Sequence, residues 1–351
     1  MSEKRRIAPR LTAGKIWSGY SFIFIFAAIF IAYYAVNSSL TWVGIMNILR
    51  HSAVVGIIAL GMGLVAITGQ IDLSVGSMLA FVGGFAVIVF NLTNSIVLTL
   101  LAVMAMGALC GLINGVLVGK AKMPAFIVTL ATMLIFRSLT RFVCHEIPQT
   151  VSGGSNSLFK LLSSNSLYKP FYSFGNSKFL TVPVTGLFLI VLTAIIVYVS
   201  TSTKFGKQLY AVGSNERAAR LTGINVDNVR VAVFVITGVL TGISAFLWIS
   251  MNASVDPATT GSSYEMYAIA AVVLGGISMA GGSGKCVGIL FGVMSYTVID
   301  KIIVALKMNT LLNDTVKGAI LIVAIIVQTM SPVIREHMAA RKVRRRMKKA
   351  Q

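Results

Sequence analysis

Apolar runs of about 20 residues recur along nearly the whole of this 351-residue chain. A helix needs about 20 mostly apolar residues to cross the hydrocarbon core of a bilayer. The candidate segments are 17–36, 51–69, 74–91, 96–119, 124–143, 182–200, 231–250, 266–281, 286–305 and 311–330. The sequence therefore predicts an all-α, polytopic membrane protein with about ten transmembrane helices.

The composition supports folding in lipid. Hydrophobic residues make up 56% of the chain and charged residues 11%, whereas a soluble domain carries roughly 25% charged residues. Basic residues precede the first segment, as in a signal peptide, but its apolar run is too long and no small-residue cleavage site follows. We therefore expect the first segment to remain as a helix.

The distribution of Lys and Arg predicts the orientation of the chain, because basic residues concentrate on the cytoplasmic side of membrane proteins. Most of them lie inside if ten helices are threaded from a cytoplasmic N-terminus. We then expect a basic cytoplasmic N-terminus (1–16), a transmembrane domain (17–330) and a basic cytoplasmic tail (331–351). Loop 144–181 lies outside and loop 201–230 lies in the cytoplasm. Anionic lipid headgroups account for the net charge of +20, so no nucleic-acid partner is expected.

Glycines recur at four-residue steps in two of the apolar segments. Such spacing lets membrane helices approach closely through a face of small residues. The residues are Gly107, Gly111, Gly115 and Gly119 in the fourth segment, and Gly284, Gly288 and Gly292 in the ninth. The two sets lie five segments apart in the chain, which fits an inverted repeat of two five-helix halves. Helix packing alone explains the glycines as well.

Catalytic and metal-binding patterns are absent from the sequence. The three cysteines and three histidines are scattered singly, without the spacing of a metal site or a disulfide framework. No GxxxxGK[ST] phosphate-binding loop and no nucleophile–base constellation occurs. We expect no metal, no cofactor bound by this chain and no enzymatic activity.

Residues 214–223 form a polar, small-residue stretch within loop 201–230. Ser214 or Asn215 suits a helix N-cap, and Gly223 suits the C-cap. Glu216 and Arg220 complement the helix dipole and are spaced as an i, i+4 ion pair. The sequence predicts a short helix of about two turns.

A face of small residues, Ala218, Ala219 and Thr222, is expected on this helix. Small side chains on a surface knob favour a tight fit into the groove of another protein. The alternative is a solvated loop helix without a partner.

Four stretches resemble the ABC-transporter permeases of the ribose/xylose/galactoside sugar-uptake family. The family's cytoplasmic coupling region resembles TKFGKQLYAVGSNERAARLTGINVDNVRVAVFVITGVLTGISAFL. The stretch GLVAITGQIDLSVGSMLAFVGG resembles the family's signature near helices two and three. The stretch YEMYAIAAVVLGGISMAGGSGKCVGILFGV resembles its signature near helices eight and nine, and NDTVKGAILIVAIIV resembles its last helix. The resemblance extends from about residue 45 to residue 330, and segment 144–181 is the least similar part.

This resemblance implies the permease subunit of an ATP-driven, binding-protein-dependent importer of a monosaccharide in a bacterial inner membrane. Two permease subunits, identical or paralogous, would form the pore. An ATP-binding subunit that uses ATP would dock inside, and a sugar-binding protein would dock outside. Contact with the ATP-binding subunit is implied for Ser214, Asn215, Glu216, Arg217, Ala218, Ala219, Arg220 and Gly223. In the family's usual pattern Glu directly precedes Ala-Ala, whereas Arg217 stands there in this chain, so an acid-specific contact is in doubt.

Other functions remain open at this point. The solute could be an autoinducer, an inositol or a nucleoside instead of a sugar. An ion-coupled carrier acting alone predicts paired ionisable residues at mid-membrane, and few are present. A membrane-embedded enzyme requires a catalytic cluster, which the sequence lacks.

Polar residues within or next to the apolar segments are candidates for a translocation pathway or gate. They are Gln70, Asp72, Ser74, Asn114, Tyr264 and Glu265. Asp72 either caps the third helix or takes part in gating, and Asn114 either bonds a neighbouring helix or lines the pathway. Tyr264 and Glu265, expected at an external loop and helix entrance, belong to an aromatic belt, to an outer gate or to a docking surface.

Overall fold

Helices dominate the computed structural model, which describes residues 13–37, 41–308, 312, 315–320, 322–323 and 326. The first helices are α1 (Ala13–Val36), α2 (Trp42–Ile67), α3 (Val75–Thr93), α4 (Ile96–Gly115, continued by a π-helix at Val116–Lys120), α5 (Ala125–Glu146) and α6 (Gln149–Ser152). They are followed by α7 (Tyr168–Asn176), α8 (Val184–Ser202), α9 (Lys204–Ser214), α10 (Glu216–Leu221), α11 (Val226–Asn252), α12 (Tyr264–Leu274) and α13 (Val287–Ala305). Residues 315–320 are also helical.

Within the described residues, seven helices are long and apolar enough to cross a membrane: α2, α3, α4 with its π-helical continuation, α5, α8, α11 and α13. Two apolar helices, Tyr20–Val36 within α1 and Tyr264–Leu274, are shorter. The prediction of a helical, polytopic membrane protein is confirmed at this level. Half of the predicted tenth segment, most of segment 1–16 and all of segment 331–351 lie outside the described residues.

The predicted eighth segment, 266–281, is too long. Helix α12 ends at Leu274 and a glycine-rich turn follows it. Gly276, Gly281 and Gly282 have φ values of 79°, 91° and 69°, a region that glycine adopts without the steric cost of a side chain. The apolar run is therefore divided between a short helix and a turn.

The bundle has two ends, which we name after the helix that lies at each. At the α10 end, α2 finishes and α4 passes into α5; Ile67 O accepts a hydrogen bond from Gly282 N at 2.8 Å. At the α7 end, α2 starts and α3 finishes; Trp42 Nε1 donates to Thr181 Oγ1 at 3.1 Å. Phe171 of α7 packs on Phe90 and Phe246, which anchors this segment on α3 and α11.

Four two-residue strands lie in the non-helical connections. β1 (Phe159–Lys160) pairs antiparallel with β4 (Ser254–Val255), with Phe159 opposite Val255. β2 (Lys178–Phe179) pairs antiparallel with β3 (Val182–Pro183). The first pairing fixes the connection after α6 to the connection after α11.

The glycines of α4 lie against α11. A Cβ placed on Gly107 would overlap the carbonyl oxygen of Gly238, and one placed on Gly111 would overlap that of Phe234. At Gly115 and Gly119 the obstacles are the backbones of Val231 and Asp227. The backbones are thus too close for any side chain at these four positions.

The second set of glycines lies between α12 and α13. Gly288 faces the carbonyl oxygen of Gly275, and Gly292 faces that of Ala271. Gly284, the predicted third member, precedes α13 and has a φ of 120°. It serves the turn rather than the helix face, because the helix begins only at Val287.

An ion pair connects the last described helical residues to this part of the bundle. Lys317 Nζ lies 2.7 Å from Asp300 Oδ1, and the Lys317 side chain is 8% exposed. The same ammonium group lies 4.4 Å from the centre of the Tyr267 ring. The ion pair and the ring contact therefore join residues 315–320 to α13 and α12.

Candidate coupling surface and translocation pathway

Helix α10 is defined by its own local residues. Asn215 is the N-cap, and its side-chain oxygen accepts from Ala218 N at 3.0 Å, which satisfies one free N–H of the first turn. Ser214 is instead the last residue of α9. After the helix, Gly223 has a φ of 81° and reverses the chain where a side chain would be strained.

Five charged side chains surround α10, and we call Lys122, Glu216, Arg220, Asp227 and Arg230 the coupling network. Glu216 accepts from Arg220 Nη2 at 2.9 Å and from Arg230 Nη2 at 2.6 Å. Asp227 accepts from the same Arg220 nitrogen at 2.7 Å and pairs with Lys122. The network therefore ties α10 to the first turns of α11 and to the turn between α4 and α5.

Electrostatics keep Glu216 ionised. Partial burial opposes its charge, but hydrogen bonds and the positive charges of Arg220 and Arg230 outweigh that effect, so the pKa of Glu216 lies below its ordinary value. The Arg230 side chain is only 13% exposed. Its charge thus depends on Glu216 for compensation more than the charge of a fully solvated arginine would.

Two breaks in the helices bring polar residues into the bundle. The first, residues 68–74, separates α2 from α3. Asp72 is fully buried there and accepts from Ser74 N at 2.9 Å and from Ser74 Oγ at 2.6 Å. Asn114 Nδ2 of α4 donates to Ser74 Oγ at 2.9 Å. Asp72 thus orders the N-cap residue Ser74 rather than bonding the N–H groups inside α3, and Gln70 lies half-buried in the same break.

The second break, residues 253–263, separates α11 from α12 and meets the first. Gly76 is the second residue of α3, and a Cβ there would overlap Gly261 O and the carboxylate of Glu265. Tyr264 packs edge-on against Trp248 with ring centres 6.0 Å apart. Tyr264 and Glu265 are the first two residues of α12, at the helix entrance that the sequence predicts, and they lie between the start of α3 and the last turns of α11.

An arginine of α5 explains why the second break folds back into the bundle. Arg137 Nη1 donates to Pro257 O at 3.1 Å and to Thr260 O at 2.7 Å. Asp256 stabilises the same turn, since its carboxylate accepts from Ala258 N at 2.7 Å and from Thr259 Oγ1 at 2.8 Å. The turn is thus held to α5 through backbone carbonyls.

Similarity to known proteins decides what kind of bundle this is. The family described as "Branched-chain amino acid transport system / permease component" matches residues 44–325. The chain belongs to this family. The permease is 36% identical to the ribose import permease protein RbsC of Haemophilus influenzae over 282 residues. The aligned residues make up 80% of this chain and 84% of that protein.

Further relatives have the same kind of description. The ribose import permease protein RbsC of Bacillus subtilis is 35% identical over 307 residues, 87% of the permease and 90% of the relative. The xylose transport system permease protein XylH of Escherichia coli is 31% identical over 330 residues, 80% and 83% of the two chains. No solved structure matches the permease. The predicted membership of the ABC permeases for sugar uptake is confirmed, and such membrane subunits are not enzymes.

Of the small-residue face predicted for α10, Ala218 and Thr222 are exposed and Ala219 is buried. Ala219 is 3% exposed and packs against the permease itself, whereas Arg217 and Ala218 are exposed. Successive helical residues point about 100° apart, so Ala218 and Ala219 cannot share a face. Leu221 is 89% exposed and lies three residues after Ala218.

Sequence reasoning missed several residues at both ends of the bundle. Leu221 was recognisable as an apolar side chain at i+3 from Ala218 in a polar helix. Arg137 was recognisable as an arginine inside an apolar segment, where a charged group usually has a functional partner. Lys122, Asp227 and Arg230 gave no local signal, because their partners are distant in sequence.

Proposed function

We propose that this permease is the membrane-spanning subunit of an ATP-driven, binding-protein-dependent importer of a monosaccharide. The observation that carries the proposal is the coupling network around α10. A small helix with an exposed Leu221 is bound through ion pairs to α11, and Asp227 of α11 also pairs with Lys122 of the α4–α5 turn. A partner that pushes on α10 would therefore move α11 and the α4–α5 turn with it.

The partner at α10 in this proposal is an ATP-binding subunit. Arg217, Ala218 and Leu221 offer it one charged and two apolar exposed contacts, and Ser214, Asn215 and Gly223 border them. Glu216, Ala219 and Arg220 act from within the permease by holding the helix in place. ATP is used by the partner, and no cofactor is assigned to this chain.

The proposed orientation has the α10 end and both termini in the cytoplasm. It puts the basic residues of segments 1–16 and 331–351 on the same side as Lys120, Lys204 and Lys207, as the positive-inside rule favours. Loop 144–181 then faces outside, where a sugar-binding protein docks. The membrane is a bacterial inner membrane, and segment 17–330 is the permease domain.

We further propose ten spanning helices arranged as two inverted halves. Helices α3 and α12 each begin directly after a break, and their second residues, Gly76 and Glu265, are neighbours. The glycine-lined helices α4 and α13 follow them in chain order. This correspondence supports a pathway built where the two halves meet, as in other transporters with broken helices.

A monosaccharide is the proposed substrate because the relatives are described as ribose and xylose permeases. Each hydroxyl stripped of water costs about 4–8 kcal/mol in hydrocarbon, so a sugar needs a polar route between helices. Gln70, Asp72, Ser74, Asn114, Tyr264 and Glu265 are the proposed polar groups along it. A second permease subunit, identical or paralogous, would complete the route. An autoinducer, an inositol or a nucleoside is the alternative substrate.

Reconstitution of the full-length permease with its ATP-binding subunit and sugar-binding protein tests this function. We expect ATP-dependent uptake of ribose or xylose into proteoliposomes, and no uphill transport by the permease alone. Leu221→Asp should abolish co-purification of the ATP-binding subunit. The matched control is Leu180→Asp at the α7 end, since Leu180 is 81% exposed. Unchanged co-purification of Leu221→Asp would contradict the assignment of α10.

A further inference from the structure

A cavity of about 610 Å³ opens at the α7 end, between the last turn of α5 and the turns 153–158 and 256–258. Its volume falls within the range of small-molecule sites, about 300–1,000 Å³. Its lining includes Arg141, Phe142, His145, Asn156, Ser157 and Asp256. None of these residues belongs to the coupling network or was among the pathway candidates.

The lining combines hydrogen-bond donors, acceptors and one flat apolar surface. Arg141 offers donors, Asp256 offers acceptors, and Asn156 and Ser157 offer both. Phe142 is 62% exposed and presents an aromatic ring. A neutral polyhydroxylated ring fits this set, because each hydroxyl both donates and accepts while the C–H face of the ring packs on an aromatic surface.

Asp256 is held in place before any solute arrives. Ala258 N donates to its Oδ1 at 2.7 Å, and Thr259 Oγ1 donates to its Oδ2 at 2.8 Å. Burial opposes its charge, but these hydrogen bonds outweigh burial and keep the pKa of Asp256 below its ordinary value. The cavity therefore offers an ionised carboxylate in a fixed position.

The cavity borders a turn that continues to the place where the two helix breaks meet. Arg137 lies one turn before Arg141 on α5 and holds the carbonyls of Pro257 and Thr260. Pro257 lines the cavity, and the same turn continues to Gly261, which touches Gly76 of α3. A solute in the cavity is thus separated from the meeting point of the breaks by the turn that Arg137 holds.

We propose that this cavity is an entry site of the permease, in which a monosaccharide released at the α7 end is bound directly by Arg141, Asp256 and Phe142 before it passes inward. The inference rests on the proposed function and adds a sugar contact within the membrane subunit itself. Binding is weak, because a tight site along a transport route would retain the sugar.

Saturation-transfer NMR with D-ribose tests the site directly. The sample is the full-length permease with its ATP-binding subunit in lipid nanodiscs, without the sugar-binding protein. We expect transfer from the wild-type complex to ribose at millimolar concentrations. Arg141→Gln should lower the transfer about tenfold, the effect of losing one hydrogen bond to a charged group. The matched control, Lys169→Gln, changes an exposed cation at the same end that does not line the cavity.

Asp256→Asn provides a second variant, and Phe142→Ala a third that leaves the hydrogen bonds of the turn intact. Both should lower transfer while the thermal unfolding temperature of the complex stays within a few degrees of wild type. No transfer from the wild type, or equal transfer from Arg141→Gln, would overturn the proposal. A variant that keeps the ribose signal but loses the sugar-binding protein would identify the cavity as a docking surface instead, which also overturns it.

The outcome is separable from that of the proposed function. If the complete transporter takes up ribose but the permease gives no ribose signal, the entry site is wrong and the importer function is still supported. A ribose signal that depends on Arg141, without ATP-dependent uptake, supports the site and contradicts the importer.

Discussion

Charges are organised differently at the two ends of the permease. At the α10 end, Glu216 and Asp227 each meet two cationic side chains, and Arg220 is shared between them. At the α7 end, Asp256 is held by the backbone and hydroxyl groups of its own turn. Arg137 there is bound to two backbone carbonyls. The coupling network pairs charge with charge, whereas Asp256 and Arg137 are held mainly by backbone groups of one turn.

Paired charges and a charge anchored on backbone have different effects on the elements around them. A network of paired charges joins separate elements, so that displacement of one element is opposed by all. A charge anchored on backbone is oriented but keeps free hydrogen-bonding capacity towards the cavity. We infer that the α10 end transmits movement and the α7 end receives solute, with the close contact of α4 and α11 as the rigid connection between them.

The largest effect is expected from separating α4 from α11, because both ends depend on that contact. In Gly111→Leu the new side chain would meet the carbonyl of Phe234, and overpacking of this kind costs about 1–3 kcal/mol or more. We expect a large fall in the unfolding temperature in detergent. The control is Leu109→Phe, on the exposed face of the same helix. A wild-type unfolding temperature for Gly111→Leu would show that the two helices are not rigidly joined.

Much of the fold follows from the sequence because apolar helices are local features. Segments of about 20 apolar residues predict spanning helices wherever they occur, and α3, α5 and α11 lie where the runs predict them. The prediction is wrong at 266–281, where the run contains Gly275 and Gly276 followed by a turn. Hydropathy does not register the backbone freedom of glycine, so it assigns one span to a short helix and a turn.

The contacts at the candidate sites also divide into those that the sequence predicts and those that it does not. The N-cap Asn215 and the Glu216–Arg220 pair lie within one short helix, and their spacing alone predicts the contacts. Arg230 reaches Glu216 across 14 positions, and Arg137 reaches Pro257 across 120. No periodicity connects residues so far apart. The contacts that link elements therefore emerge only from the three-dimensional structure.

A smaller effect is expected from releasing the turn at the α7 end. Arg137→Gln would leave the carbonyls of Pro257 and Thr260 without their charged donor, a local cost of about 1–3 kcal/mol. We expect faster hydrogen exchange confined to residues 256–263 and reduced uptake. Lys178→Gln, an exposed cation at the same end, is the control. Exchange that rises equally around α10 would contradict the separation of the two ends.

A still smaller effect on stability is expected at the α10 end, where the ion pairs are partly solvated. Glu216→Gln should change the free energy of unfolding by about 1 kcal/mol or less. It should nevertheless increase the mobility of a spin label on Arg217→Cys and lower uptake, because Arg230 loses its partner. Glu146→Gln at the other end, where Glu146 pairs only with exposed His145 among the described ion pairs, is the control. Unchanged label mobility would mean that Glu216 does not hold α10.

The smallest effect is a dependence on pH that a spin label on α10 should report. The pKa of Glu216 in the folded permease lies below its ordinary value of 4.5. Its contribution is therefore fully present above pH 4.5 and is lost as the pH falls through the lower folded-state value. The label on Arg217→Cys should keep constant mobility from neutral pH to about pH 5 and become mobile only in stronger acid. The same label in Glu216→Gln should be mobile throughout, because the carboxylate that binds Arg220 and Arg230 is gone. A change in label mobility near neutral pH would mean that a different titrating group holds α10. The coupling network would then not fix the helix.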